Sequence, residues 1–78
     1  MTYAEALKRF RADFNLTQQQ AADSGQVFRQ AYQRYEYGTR EPVLSVLCKL
    51  ADAYNVSLDY LVGRSDVPQV VRSAQWQG

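Results

Sequence analysis

Apolar residues recur along the first 63 positions at the spacing of short amphipathic helices. The first apolar stripe comprises Tyr3, Leu7, Phe10 and Phe14. Their intervals of four, three and four residues place them on one face of a helix. Thr2 and Glu5 stand just ahead of the stripe in the pattern of a capping box. The sequence therefore predicts a first helix from about Tyr3 to Phe14.

The second and third helices are predicted to be short and close together. Thr17 and Gln20 form another capping-box pattern, and the pair Ser24-Gly25 interrupts the helix that follows. A third helix is predicted from about Phe28 to Tyr37, with Gly38 as the residue that ends it. Two helices of under three turns, joined by three or four residues, cross steeply in a helix-turn-helix arrangement.

A fourth helix is predicted from Pro42, because proline favours the first position of a helix, to the residue before Asn55. Its apolar face comprises Val43, Leu44, Leu47, Leu50, Ala51 and Tyr54. Cys48, at its centre, is predicted to be a small core or near-core residue.

Ser57 is the predicted cap of a short fifth helix, and Gly63 ends it. The apolar residues of this helix are Leu58, Leu61 and Val62. Beyond it the helical period is lost. We therefore predict an all-α domain of five helices over residues 1–63 and a C-terminal tail over residues 64–78.

The composition excludes several classes of function. One cysteine and no histidine leave no internal disulfide and no conventional zinc site. No glycine-rich phosphate loop and no nucleophile beside a base are present, so we expect neither an enzyme nor a bound cofactor. The start lacks the pattern of a signal peptide, and no run of about 18 apolar residues could span a membrane. We therefore expect a cytoplasmic protein without a membrane partner.

The net charge of +1 gives little indication of the kind of partner that the chain binds. Residues 1–40 carry six basic side chains against four acidic ones, whereas residues 41–78 carry three against four. This asymmetry weakly favours an anionic partner for the first half of the chain.

Several short motifs occur together over residues 7–62. They are Leu16-Thr17-Gln18, Ala22, Tyr35-Glu36-Tyr37-Gly38, Arg40-Glu41-Pro42, and the stretch from Leu47 to Leu61. In this joint spacing the chain resembles the helix-turn-helix domains of phage repressors and Cro proteins, the lambda-repressor-like fold. The resemblance covers about three quarters of the chain and implies that the third helix recognises DNA.

The chain departs from that family at three positions. Ala21 stands where the family has a large aliphatic residue, and we expect Tyr32 to fill the volume. Gln26 stands where the family has glycine, and Phe28 stands where it has a serine or threonine cap. Either Gln26 adopts the left-handed conformation, which costs about 1 kcal/mol of conformational energy, or the third helix begins one residue out of the family's register.

The resemblance implies two groups of DNA-contacting residues. Base readers are expected at Arg29, Gln30, Gln33 and Arg34, because arginine and glutamine can each bond one base edge twice. Contacts to the DNA backbone are expected at Gln18, Tyr37, Thr39 and Arg40. Arg34 is equally compatible with a backbone contact. The alternative is that these side chains only solvate an exposed face and an ordinary turn.

The resemblance also implies an ion pair between Arg11 and Glu36, joining the first helix to the end of the third. The alternative is two unrelated surface charges.

The sequence thus favours a sequence-specific, double-stranded DNA-binding regulator, a repressor acting as a homodimer on a palindromic operator. The expected dimer interface comprises Leu58, Leu61, Val62, Val67, Val70, Val71 and Trp76. Two alternatives remain. The chain could resemble an antitoxin, holding a protein partner through the tail, or it could be a protein-interaction module that no longer binds DNA.

Overall fold

A computed structural model describes residues 1–69, and these residues form five helices. The helices are α1 (Tyr3–Asp13), α2 (Gln18–Gly25), α3 (Arg29–Tyr37), α4 (Leu44–Tyr54) and α5 (Leu58–Val62). The predicted all-α, five-helix architecture is confirmed. No helix within residues 1–69 is long and apolar enough to cross a membrane.

Local side-chain hydrogen bonds fix the starts of three helices. Thr2 and Thr17 each form a complete capping box, with Glu5 and Gln20 returning a bond to the backbone of the capping residue. Ser57 Oγ accepts the backbone amide of Tyr60 at 3.0 Å and caps α5. Each cap satisfies an amide that the helix itself leaves free, so these boundaries follow from nearby residues alone.

The start of α4 differs from the prediction. The helix begins at Leu44, two residues after Pro42, and Val43 precedes it in an extended conformation without a side-chain cap. The buried residues of α4 are Val46, Leu47 and Leu50, so the first buried position lies two residues after the start of the helix. Val43 and Leu44, predicted to lie on the apolar face, are exposed.

Cys48 is exposed, so the prediction that it belongs to the core is wrong. The buried face of α4 is formed by residues 46, 47 and 50, and position 48 lies to one side of it.

One apolar core joins the helices and comprises Leu7, Phe10, Ala21, Ala22, Tyr32, Tyr35, Val46, Leu47, Leu50, Val56, Tyr60 and Leu61. α1 packs on α3 and α5, and α2 packs on α3 and α4.

Tyr32 and Ala21 are both completely buried in the same core cluster. A small residue on α2 and a large aromatic residue on α3 thus belong to one core. That Tyr32 fills the volume beside Ala21 stays a prediction.

An aromatic cluster joins α1 to α4. The ring centroid of Phe10 lies 5.3 Å from that of Phe14 and 5.2 Å from that of Tyr54, the latter at an edge-to-face angle of 72°. The Tyr54 hydroxyl lies 2.6 Å from the hydroxyl of Ser24 on α2. The cluster therefore buries apolar rings and still satisfies the one polar group that enters it.

Arg9 fastens the segment after α5 to α1. Its guanidinium lies 4.3 Å from the centroid of the Tyr60 ring and donates to the carbonyl oxygens of Tyr60 (2.6 Å) and Ser65 (2.9 Å). It also pairs with Asp66 at 2.8 Å. Arg9 does not belong to the apolar stripe of α1, yet it packs on Tyr60 and on the segment after α5.

Residues 64–69 of the predicted tail lie against the helices. The amide of Ser57 donates to the Pro68 carbonyl at 2.8 Å, and Val56 forms an antiparallel bridge with Gln69. The packed unit therefore extends beyond the predicted boundary at Gly63, at least to Gln69.

Gly63 should be less replaceable than Gly38, although both are left-handed. Its φ is +90°, and a Cβ there would lie 2.6 Å from the Met1 carbonyl oxygen. Gly38 has a similar φ of +79°, but its Cβ would meet only the Ala4 side chain at 3.7 Å. A left-handed alanine by itself lowers the free energy of unfolding by roughly 1–2 kcal/mol. Gly63→Ala should lower it by more than this amount, whereas Gly38→Ala should lower it by about this amount. Chemical denaturation of both variants measures the difference, and equal losses would contradict this packing.

Candidate nucleic-acid interface

The turn between α2 and α3 is built around a left-handed glutamine. Gln26 has φ 56° and ψ 47°, and its amide donates toward the carbonyls of Ala22 and Asp23. The sequence alone left open whether Gln26 is left-handed or the third helix begins out of the family's register. The first of these alternatives is correct. Phe28 is the residue before α3, and its backbone is extended.

The preceding glycine serves packing and not backbone conformation. Gly25 is buried, and a Cβ at this position would lie 2.9 Å from Cγ1 of Val46 on α4. The close approach of α2 to α4 therefore requires glycine at position 25. The left-handed residue of the turn follows one position later.

Helix α3 has one buried face and one exposed face. Tyr32, Tyr35 and Glu36 are buried, and the burial of Tyr32 agrees with the prediction. Arg29, Gln30, Arg34 and Tyr37 are exposed, whereas Gln33 is half-buried. The exposed face therefore presents two arginines and a glutamine, all able to donate hydrogen bonds to a ligand.

Arg11 and Glu36 form a two-bonded ion pair between α1 and α3. Arg11 Nε lies 2.5 Å from Glu36 Oε2, and its Nη2 lies 2.9 Å from Oε1. Arg11 Nη1 also donates to the Leu16 carbonyl at 3.2 Å, ahead of α2. Glu36 is only 1% exposed, so its charge depends on these donors rather than on water.

A chain of amide hydrogen bonds extends from this pair toward the exposed face. Gln18 Nε2 donates to Glu36 Oε1 at 3.3 Å, and Gln33 Nε2 donates to Gln18 Oε1 at 3.1 Å. The first residue of α2 is thus bonded to the middle and the end of α3. Gln18, predicted as a DNA-backbone contact, and Gln33, predicted as a base reader, both have part of their bonding capacity engaged within the protein.

The charge state of Glu36 is set by two opposed effects. Burial alone would raise the pKa of its carboxyl group, but the hydrogen bonds from Arg11 and Gln18 outweigh burial and hold that pKa below the usual 4.5. The pKa of the Tyr32 hydroxyl is raised, mainly by burial and also by the neighbouring Glu36 carboxylate. Glu36 is therefore ionised and Tyr32 neutral at neutral pH.

The loop after α3 is held by bonds to the helix it follows. Gly38 is left-handed, and the amide of Thr39 donates to the Arg34 carbonyl at 3.1 Å. Tyr37, Thr39 and Arg40 are exposed next to one another. The predicted backbone-contacting residues of this loop thus lie together at the C-terminal end of α3.

Arginines divide into two groups within residues 1–69. Those paired with carboxylates are Arg9, Arg11 and Arg64. Those without a carboxylate partner in this part of the chain are Arg29, Arg34 and Arg40. All three unpaired arginines belong to α3 or to the loop after it. The surface predicted to meet DNA thus carries three arginines that form no ion pair within residues 1–69.

The sequence interpretation missed Phe28 as a surface residue. Its side chain is 83% exposed at the start of α3 and makes no cap hydrogen bond. The only signal was its departure from the usual serine or threonine.

The expected dimer interface is only partly available. Leu61 is completely buried in the core, so its assignment to the interface is wrong: it packs within its own protomer. Val62 is half-buried against the core. Leu58 and Val67 are 39% and 51% exposed and line a groove of about 650 Å³ between α4, α5 and the segment after α5. The remaining interface residues, Val70, Val71 and Trp76, lie outside the described part of the chain.

Comparison with known proteins gives this surface its context. The model of the helix-turn-helix family matches residues 7–61, which include α2, α3 and α4 completely and most of α1 and α5. The chain belongs to the helix-turn-helix family. This match confirms the predicted resemblance, which was assigned to residues 7–62.

Curated relatives of this helix-turn-helix chain are regulators by name. The uncharacterized HTH-type transcriptional regulator YqaE of Bacillus subtilis is 43% identical over 60 residues, covering 77% of this chain and 52% of YqaE. ImmR of the same species, an HTH-type transcriptional regulator, is 36% identical over 86% of this chain and 53% of its own. The cryptic phage CTXphi transcriptional repressor RstR of Vibrio cholerae is 39% identical over 82% and 57%. The chain thus spans about half the length of these relatives.

A solved structure has the same fold. The crystal structure of a transcriptional regulator from Listeria innocua superposes with a TM-score of 0.70 at 27% sequence identity. The match covers 99% of this chain and 65% of the other.

The ion pair predicts a specific response to acid. Folding lowers the pKa of Glu36 from its ordinary 4.5, so its contribution to stability is complete above about pH 4.5 and is lost as the pH falls through the lower folded value. Glu36→Gln should cost about 3 kcal/mol at neutral pH, because the charge of Arg11 loses its partner. The variant should also lose less stability than the parent on acidification.

Denaturant unfolding of both proteins at a series of pH values from neutral to about pH 3 measures this response. Glu41→Gln is the matched control, because Glu41 is exposed and forms no ion pair within residues 1–69. If the parent and Glu36→Gln lost the same free energy of unfolding on acidification, Glu36 would not be the source of the pH dependence.

Proposed function

We propose that this chain binds specific double-stranded DNA sequences and regulates transcription, with α3 in the major groove. The observation that carries the proposal is the set of three arginines, on α3 and the following loop, that have no carboxylate partner in residues 1–69. Regulators and a repressor among the relatives support a regulatory role, and RstR supports repression in particular.

The exposed side chains suggest a division of labour on this surface. Arg29 and Gln30 stand at the start of α3, where a recognition helix meets base edges, and each can make two parallel bonds to guanine or adenine. Arg34 lies farther along the exposed face and can reach a base or the backbone. Arg40, with Tyr37 and Thr39, suits phosphate contact, because a flexible cation pairs with phosphate at any sequence.

Gln18 and Gln33 support the surface in a second way. Their mutual hydrogen bond and the bond to Glu36 hold both amides before DNA arrives. Such pre-ordering reduces the entropy lost on binding. Each side chain retains donor or acceptor capacity for a phosphate or a base beyond the bonds it makes internally.

Selection of bound sequences from a random duplex pool tests the proposed function directly. We expect a defined sequence motif, bound with strong salt dependence. Because the cations are few, the affinity should fall by about 10³ between 50 and 200 mM salt, the lower end for proteins that contact several phosphates. Enrichment of no motif, together with a flat salt response, would favour the alternative of a protein-interaction module.

Single substitutions should separate base reading from backbone contact. Arg29→Ala and Gln30→Ala should each reduce discrimination between the selected site and a scrambled duplex by roughly 1–3 kcal/mol. Arg40→Ala should weaken binding to both duplexes about equally, because phosphates carry no sequence information. The measurement is the affinity of the parent and of each variant for the selected and the scrambled duplex. Equal losses on both for Arg29→Ala and Gln30→Ala would mean that α3 does not read bases.

We further propose that the chain acts as a two-fold dimer through the groove beside Leu58 and Val67. A single recognition helix reads too few base pairs to find one site among many competitors, and a dimer doubles the information. Both side chains leave apolar surface exposed around the groove without a partner in their own protomer. Two-fold symmetry would place the two α3 helices about 34 Å apart, so the selected motif should be palindromic.

Sedimentation of charge variants tests this dimer. Leu58→Asp should shift the protein toward monomer and weaken binding to a palindromic site more than to a single half-site, because a buried unpaired carboxylate opposes association. Leu44→Asp is the matched control, since Leu44 is also an exposed leucine, 67% accessible, but lies outside the groove. A parent protein that stays monomeric both free and on DNA would rule the dimer out.

A further inference from the structure

Phe28 is the most exposed large apolar side chain in residues 1–69, at 83%. It precedes α3 at the position where a serine or threonine oxygen would bond a free amide of the first turn. Helices α1, α2 and α5 have such a cap, whereas α4 resembles α3 in having none. The start of α3 thus lacks a local stabilising bond and exposes an aromatic ring.

No other part of residues 1–69 covers the Phe28 ring. Phe28 is absent from the core and from the partly buried residues packed against it, which include its neighbour Val27. Departures from local sequence rules are expected at functional or strained sites. The ring stands at the end of α3 that also presents Arg29 and Gln30, both exposed.

We infer that Phe28 reads thymine, with its ring packed on the C5-methyl group in the major groove. Thymine is the only one of the four bases to present an apolar group there, and phenylalanine is among the side chains that recognise it. A phenyl ring can neither donate to a phosphate nor bond a polar base edge, so the methyl group is the feature it can distinguish. Arg29 and Gln30 would supply the hydrogen bonds to neighbouring base pairs. This inference rests on the proposed function and assigns one specificity residue within it.

The same chemistry defines which bases should be accepted. Deoxyuridine has the polar edge of thymine without the methyl group, so it should bind less well at the position that Phe28 reads. The expected loss is about four-fold per half-site, the affinity equivalent of burying one methyl group. 5-Methylcytosine should be preferred to cytosine at that position for the same reason.

The test uses the full chain and the duplex obtained by selection, with each thymine replaced in turn by deoxyuridine. The parent should discriminate at one thymine per half-site. Phe28→Ser should bind thymine and uracil alike there, while staying folded because serine restores the missing cap. Phe28→Leu, which keeps an apolar contact, should retain part of the discrimination. Leu44→Ala removes a different exposed apolar side chain and should leave the discrimination unchanged.

Two results would overturn the inference while leaving the proposed function intact. One is a parent protein that binds a selected motif but does not distinguish thymine from uracil at any position. The other is a Phe28→Ser variant that keeps the full discrimination. Failure to select any motif would instead overturn the proposed function, and this inference with it.

Discussion

The placement of α3 depends on the buried carboxylate of Glu36. This group accepts two bonds from Arg11 on α1 and one from Gln18 on α2, so a single side chain ties the end of α3 to both preceding helices. A buried charge is tolerated only when its partners are complete, and any tilt of α3 would leave one of them unmade. The exposed face of α3 is consequently presented in one orientation, with Gln18 and Gln33 transmitting that constraint to the surface.

A second polar anchor acts on the other side of α1. Arg9 contacts the ring and carbonyl of Tyr60 and the segment that follows α5, while the Tyr60 hydroxyl donates to Asp13. Burial and this carboxylate raise the pKa of Tyr60 to about 12, so it remains a donor at neutral pH. In a domain this small, where the apolar core alone is marginal, such links between distant parts of the chain supplement packing. α1 thus lies between an anchor that orients α3 and an anchor that holds the end of the domain.

Sequence reasoning succeeded where the governing interactions are local. The capping boxes at Thr2 and Thr17 involve residues three apart, and they located the starts of α1 and α2. It failed where the answer depends on distant packing. The register of α4 against α2 decides that Cys48 is exposed, and the contact of α5 with the core decides that Leu61 is buried. The pairing of Arg11 with Glu36 lies between these cases. Their separation of 25 residues gives no geometric signal, and only the family resemblance pointed to it.

The close approach of α2 to α4 also restricts how the turn can change over evolution. Moving glycine from position 25 to position 26 would relieve the left-handed glutamine, yet the new side chain at 25 would collide with Val46. A side chain at position 25 therefore requires a smaller volume at position 46, whereas position 26 can become glycine without a change at position 25. Among descendants of this sequence, a side chain at position 25 should accompany a smaller residue at 46, so that one site on α2 and one site on α4 are inherited as a linked pair.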